Sequence, residues 1–253
     1  MNIARRFGYE WKKYPEIIPE YETQFLRWVH LLQPVDFRNK TILDAGCGIG
    51  RNSFWPLTYG AKHLTAIDYD PKTVHVAKRN LHTFQNASVY YQSIYSLPYI
   101  NQFDIVLCIG VLHHLREPKK ALMRLVRATK KNGRVILWVY GNEGNGQLIV
   151  LVKGFRRITS NLPLPLVHLT AFVCTLIVYL YLKLFPQTHP YFLLLRRFKF
   201  WHIQLIILDQ LLPQISHYWN RDQVTSLVGN CGLTKIQILK TNNNSWTIIG
   251  RKR

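Results

Sequence analysis

A carboxylate followed by three alternating glycines, Asp44-x-Gly46-x-Gly48-x-Gly50, limits what this chain can fold into more than any other stretch. Thr41 to Leu43 read as a short buried strand ending on Asp44, and a helix-like segment runs on from Arg51 to Trp55. Glycine is required where the backbone takes a positive φ or must approach a ligand closely. Set between a strand and a helix, such a turn leaves free N–H groups at the mouth of an α/β sheet. A dinucleotide site wants a small third residue, in the pattern G-x-G-x-x-G or A, so that helix and strand can pack closely. Here that position is Arg51, which argues against NAD.

The pattern resembles motif I of the class I S-adenosylmethionine-dependent methyltransferases. A second carboxylate, Asp68, closes the apolar run Leu64–Ile67, where that family carries the residue that binds the ribose hydroxyls. The resemblance implies S-adenosyl-L-methionine as cofactor and assigns residues to it. Gly46, Gly48 and Gly50 would line its methionine and ribose, with Cys47 inside the same loop. Asp44 would lie beneath the methionine amino group, Asp68 on the ribose, Tyr69 against the adenine and Ile109 at the end of the fourth strand. The family's third strand usually ends in an acidic and then a small residue, shortly before a Leu-Pro pair. Leu97-Pro98 is present here, but the two positions are Ser93 and Ile94, so adenine recognition rests on the serine hydroxyl or on backbone groups.

Methyl transfer from a sulfonium is an in-line displacement, in which orienting the nucleophile and excluding water are the main tasks. A general base is needed only where the accepting atom carries a proton of high pKa. No catalytic dyad is therefore required. His113, in Gly110-Val111-Leu112-His113-His114-Leu115, is the candidate base, with packing beside the cofactor as its other reading; Glu117 and Tyr140 are further candidates at neighbouring strand ends.

The chain has 253 residues, enough for one domain or a domain carrying an insertion. Its net charge of +20 implies attraction to something anionic: nucleic acid, an acidic membrane surface or a phosphorylated substrate. Four scattered cysteines with no C-x-x-C pair speak against a metal site or a disulfide framework and fit a reducing cytoplasm. Met1–Tyr14 is basic and aromatic, without the apolar core of a signal peptide.

The resemblance implies an α/β fold: a Rossmann-like, seven-stranded, mostly parallel sheet closed by an antiparallel hairpin. Strand and helix patterns alternate through the core, as in a parallel sheet covered on both faces. A helix is expected over Glu20–Leu32, and another starts at Asp70-Pro71 with Val74, Ala77 and Leu81 inward. Ser88–Tyr91 and Ile105–Ile109 read as strands, Pro118–Thr129 as a helix stopped at Gly133, and Val135–Val139 as the fifth strand. Asn220 caps a helix over Arg221–Asn230, and Lys235–Thr241 with Trp246–Gly250 form the closing hairpin. Four segments follow: 1–38 an N-terminal lid, carrying Phe7-Gly8-Tyr9-Glu10-Trp11; 39–141 the cofactor-binding core; 142–219 a helical apolar insertion; and 220–253 the helix and hairpin that complete the sheet.

From Ile158 to Leu182 the insertion has no Asp, Glu, Lys or Arg, so hydropathy marks about 163–185 as a membrane span. Topology disfavours that reading, because strands of one sheet precede and follow the segment. A second crossing over Phe198–Ile215 is interrupted by Lys199, Gln204, Asp209, Gln210 and Pro213. The expectation is a helical cap folded back on the core, either peripheral on an anionic membrane through residues 150–215 or fully buried.

The expected activity is methylation of a small-molecule, lipid-linked or glycan acceptor by a cytoplasmic enzyme. RNA methylation at ribose or a ring carbon is the alternative, since the charge favours phosphate contacts. Cys108-Ile109-Gly110-Val111 argues against exocyclic base amines, since the enzymes that methylate them carry Asn/Asp-Pro-Pro-aromatic there. A non-catalytic binding protein on the same scaffold is a third reading, opposed by the intact loop and Asp68.

Overall fold

The computed structural model describes residues 15–143, 146–159, 161–188 and 190–253. They divide into two compact units: Pro15–Gly144 with Ile215–Arg253, and a helical unit over Asn145–Gln214. Phe7–Trp11 of the expected lid lie outside the described residues.

The larger unit begins with α1 (Glu20–Trp28) and the short α2 (Pro34–Phe37). There follow β1 (Thr41–Ala45), α3 (Arg51–Thr58), β2 (His63–Asp68), α4 (Pro71–Asn80) and β3 (Ala87–Tyr91). Then come β4 (Phe103–Ile109), α5 (Pro118–Ala128) and β5 (Thr129–Tyr140). After the helical unit the chain returns as α10 (Arg221–Val228), β6 (Leu233–Thr241) and β7 (Ser245–Lys252). The seven strands lie in the order β3-β2-β1-β4-β5-β7-β6. β1 to β5 are parallel, and β7 inserts antiparallel between β5 and β6.

Alternation along the central strands builds a core on each face, as the two-residue period of a strand requires. Leu43, Val106, Cys108 and Leu137 pack with Leu122, Leu125, Val224 and Val228 of α5 and α10. Ile42, Ile105, Leu107 and Ile136 pack on the other side with Phe25, Trp28, Phe37, Val74, Ala77 and Leu81. The helix ends follow their local chemistry. Asp70 accepts the Thr73 N–H at the start of α4, with Pro71 in its first turn. Asn220 and Gln223 form a reciprocal capping box on α10.

Three expected boundaries shift. α1 stops at Trp28 rather than Leu32, because Val29 leaves the helical region. α10 ends at Val228 rather than Asn230, with Gly229 extended. α5 stops at Ala128, and Lys130 to Gly133 belong to β5 rather than to a helix C-terminus. Thr129 already pairs with Phe103, and Lys130 is drawn across to Asp104 at 2.9 Å.

The helical unit contains α6 (Gly146–Thr159), α7 (Leu164–Leu184), α8 (Pro190–Leu195) and α9 (Phe200–Leu211). α7 and α9 form an antiparallel hairpin: Val167 and Ala171 meet Leu208, Leu211 and Leu212 at one end, and Leu182 meets Leu195, Phe198 and Ile203 at the other. Within the segment read as interrupted, Phe200–Leu211 form one helix bounded by Lys199 and Pro213, so Gln204, Asp209 and Gln210 do not break it, and the buried Gln204 faces His168 across the hairpin at 3.3 Å. At the open end, Arg156 Nε donates to the Gln210 carbonyl (2.9 Å) and Thr159 Oγ1 to that of Leu211 (3.1 Å). α7 is not a fully buried helix: only Val167, Ala171, Thr175 and Leu182 of its 21 residues are buried.

Asp104 ties the start of β1 to β4 and β5. Its carboxylate accepts the Thr41 N–H (2.8 Å) and hydroxyl (2.7 Å) and the Lys130 ammonium (2.9 Å). Burial raises its pKa, but the bonds from Lys130 and Thr41 outweigh this and hold it at about 2. The resulting stability is present above the ordinary carboxylate range and is lost as pH falls through about 2. Asp104→Asn is expected to cost about 1 kcal/mol at neutral pH. Thermal melts in acid should show that difference shrinking toward zero.

Candidate active site

The chain runs outward from β1 to β3 and then returns to place β4 on the other side of β1. The carboxyl ends of β1 and β4 therefore flank a topological switch point, where open α/β sheets bind ligands. Asp44 and Ala45 end β1, Asp68 ends β2, and Ile109 ends β4. The loop between β1 and α3 lies among them. Its glycines all have positive φ: 83° at Gly46, 55° at Gly48 and 85° at Gly50. A Cβ on Gly46 would also collide with the Val111 side chain.

Backbone and side-chain bonds hold the loop rigidly against β2. Gly46 and Cys47 donate their N–H groups to the Ile67 carbonyl (2.8 and 2.9 Å), and Gly48 N–H donates to Asp68 Oδ2 (3.0 Å). Asn80 of α4 donates to the Ile49 carbonyl at 2.9 Å. Asp68 Oδ1 accepts the Asp70 N–H at 3.0 Å. Burial lifts the Asp68 pKa to about 6 against these opposing bonds. Each carboxylate oxygen, with about two acceptor sites, retains capacity for a further donor.

Asp44 is buried. Its Oδ2 accepts the Ser53 hydroxyl at 2.6 Å, while Oδ1 has no hydrogen-bond partner among the described residues. Burial raises its pKa to about 7; the Ser53 bond opposes the shift and the nearby Asp68 adds to it. A buried carboxylate oxygen without a donor is costly. A cationic amino group is the natural complement, so the residues present fit the methionine end of S-adenosylmethionine.

The other predicted contacts are placed as follows. Cys47 is buried, its thiol pushed well above the usual range by burial, and serves the loop as a small apolar residue. Tyr69 is exposed and stacks on Tyr91 with ring centroids 5.4 Å apart, so the flat surface beside Asp68 is a tyrosine pair. Ser93 caps a short 3-10 turn, its Oγ accepting the Tyr95 N–H at 3.2 Å, and Ile94 is buried beneath. Ile109 is buried in the core beside Trp138. His113 is fully buried and stacks on Tyr140 at 3.8 Å, with His114 at 4.2 Å. Glu117 is exposed and pairs with Lys120.

Two features were missed from the sequence. Arg51 lies over the rings of Tyr21 and Trp28, 5.2 Å from each, so α1 packs on the start of α3 through a cation–π sandwich. Ile215–Trp219, read as the end of the insertion, is hydrogen-bonded to the turn after β4 and to the end of β5 instead. His217 N–H donates to the His113 carbonyl, Trp219 N–H to that of Tyr140, and the Ile215 carbonyl lies 2.9 Å from His114 Nδ1. Tyr218 stacks on Tyr140 at 5.5 Å. The aromatic run Tyr218-Trp219 just before the Asn220 cap was the available signal.

A rigid glycine loop at the switch point, with carboxylates ending two adjacent strands, defines a Rossmann-like domain for a nucleoside cofactor. Residues 43–137 match the family of methyltransferase domains, and this part of the chain is a class I S-adenosylmethionine-dependent methyltransferase domain. The chain is 30% identical over 167 residues to the tRNA U34 carboxymethyltransferase of Campylobacter hominis, covering 62% of this chain and 58% of that protein. It is 36% identical over 105 residues to the mitochondrial ubiquinone biosynthesis O-methyltransferase of Schizosaccharomyces pombe, covering 40% and 38%. The chain thus spans about half the length of the curated relatives it matches. The crystal structure of magnesium protoporphyrin IX methyltransferase from Synechocystis, with bound S-adenosylhomocysteine, superposes with a TM-score of 0.54 over 97% of this chain and 84% of that one, at 15% identity.

Asp44→Asn is expected to weaken S-adenosylmethionine binding roughly tenfold or more, since a bond to a charged group is lost. The same change should raise thermal stability of the cofactor-free protein at alkaline pH. The folded-state pKa of about 7 lies above the ordinary value, so ionised Asp44 costs stability increasingly as pH rises between the two. Paired calorimetry and thermal melts of wild type and variant check both signs. Gly48→Val, placing a β-branched residue at φ 55°, should abolish binding.

Proposed function

We propose that the protein transfers a methyl group from S-adenosylmethionine to a small, lipid-linked acceptor. Bound at the glycine loop, the cofactor would supply an electrophilic methyl carbon. Asp44 would take its ammonium, Asp68 its ribose, Gly46, Gly48 and Gly50 would admit its backbone-facing edge, and Tyr69 with Ile94 would border the base.

The acceptor reading is supported by one observation: the chain leaves the core after Tyr140 and re-enters it at Ile215–Trp219, through an insertion whose longest helix keeps an exposed apolar face. Side chains at these strand ends are aromatic: Trp138, Tyr140 and Tyr218. Such a wall orients a flat or apolar acceptor and excludes water, which is what in-line displacement requires. His113, buried behind Tyr140, positions that ring. His113→Ala should therefore lower kcat by well under the ~100-fold minimum expected for loss of a general base, and without changing the pH profile.

RNA methylation is the second reading, favoured by the +20 charge and by a relative that acts on tRNA. Incubation with methyl-labelled S-adenosylmethionine and a total extract of the source cells separates the two. Label entering the organic phase supports the lipid-linked acceptor. Label in nuclease-sensitive, aqueous polymer would replace it with RNA.

A further inference from the structure

The hairpin of α7 and α9 presents an exposed apolar surface, the one that also supports the lipid-linked acceptor reading. On α7 the exposed residues Leu166, Leu169, Val173, Leu176, Ile177, Leu180 and Leu184 recur at helical spacing and form one stripe, opposite the buried Val167, Ala171, Thr175 and Leu182. Leu169 is 58% exposed, Ile177 65% and Leu184 72%. The stripe runs the whole helix, about 31 Å. An apolar surface of this extent on a folded protein marks an interaction site.

Three observations identify what covers it. First, the hydroxyls of Thr170 and Thr175 donate to the Leu166 and Ala171 carbonyls (2.9 and 2.6 Å), so α7 satisfies these polar groups within itself, as in a medium without water. Second, the charge is one-sided: residues 145–214 contain seven Lys or Arg and one acid, Asp209. Third, the cations are segregated to the two ends. Exposed Lys153 and Arg157 belong to α6 at the open end, where Arg156 is buried against the Gln210 carbonyl. Exposed Lys183, Arg196, Arg197 and Lys199 surround the tip, where Lys183 Nζ bonds the Arg196 carbonyl at 3.0 Å. Exposed Tyr181, Phe185 and Trp201 lie near the same tip, the residue types enriched at a membrane–water interface.

We infer that the hairpin is a monotopic membrane anchor, which beds the α7 stripe into one leaflet of an anionic bilayer while the exposed cations at both ends engage phosphate headgroups. The antiparallel return removes the topological objection to membrane contact, since the chain enters and leaves the hairpin at one end. It does not make α7 a crossing helix. Full insertion would carry four cations at the tip through hydrocarbon, whereas lying along the interface leaves those four in water. The anchor shares its hairpin with the lipid-linked acceptor reading, but its test needs neither cofactor nor acceptor, so each can fail alone.

The test is flotation of the full chain with vesicles of phosphatidylglycerol and phosphatidylcholine in equal parts, against phosphatidylcholine alone. Co-flotation with the anionic vesicles is expected, falling as salt rises. Val173→Glu with Ile177→Glu, both at exposed positions, should reduce vesicle affinity at least about tenfold with an unchanged circular dichroism spectrum. Arg196→Gln, Arg197→Gln and Lys199→Gln together should reduce it on the order of a hundredfold at low salt. No flotation, or flotation indifferent to the Glu pair, overturns the inference. So does a dimer in light scattering that the Glu pair dissolves while vesicle binding is absent, which would assign the stripe to a second copy. Protease protection of residues 185–199 in sealed vesicles would overturn the monotopic geometry in favour of two crossings, and loss of flotation after nuclease treatment would point to bridging RNA.

Discussion

The site depends on two carboxylates held at adjacent strand ends in surroundings that favour their neutral forms. Asp68 is bound to the loop that it organises, through the Gly48 N–H at 3.0 Å. Asp44 is buried beneath the same loop with one oxygen unmet among the described residues. Neither position stabilises the cofactor-free protein at neutral pH, because burial raises both pKa values. A ligand that brings a cation and hydroxyl donors relieves both costs at once. The glycines are the geometric side of this arrangement: positive φ at three alternate positions turns the loop's N–H groups toward Ile67 and Asp68 instead of extending the strand.

What was legible in the sequence was local. The Asp44-to-Gly50 pattern, the Asp70-Pro71 start and the Asn220–Gln223 box each encode their geometry within a few residues, and each is found where expected. The sheet was legible because parallel strands buried on both faces are continuous apolar runs. What was not legible depends on partners far away in the chain. Lys130 looks like a helix C-terminal cation until Asp104 is placed beside it. Arg51 looks like a flaw in a dinucleotide motif until Tyr21 and Trp28 close around it. Gln204 looks like a helix interrupted by polarity, yet it is buried opposite His168.

The +20 charge has more than one use in such a molecule. Some of it is consumed internally, as where Arg134 pairs with Asp36 at 2.7 Å. With 33 basic and 13 acidic residues, the basic side chains outnumber the carboxylates by 20, an excess that attracts polyanions. In the helical unit this excess is ordered, grouped at the ends of an uncharged span. That ordering, more than the total, separates a surface suited to lipid headgroups from one suited merely to solubility.

The position of β7 has a consequence for how the chain reaches its native state. β7 pairs with β5 from Arg134↔Arg251 to Tyr140↔Ser245, across about a hundred intervening residues. During synthesis, five parallel strands and the whole apolar hairpin emerge before the strand that fills the gap beside β5 exists. Until then β5 is an open edge, and a sheet with an unpaired edge next to nascent apolar helices is prone to mispairing. Contacts of such sequence separation also close slowly, because loop entropy must be lost first. The last eight-residue strand is therefore the step that commits the sheet. A nascent chain lacking it would be a substrate for chaperones rather than a shorter enzyme.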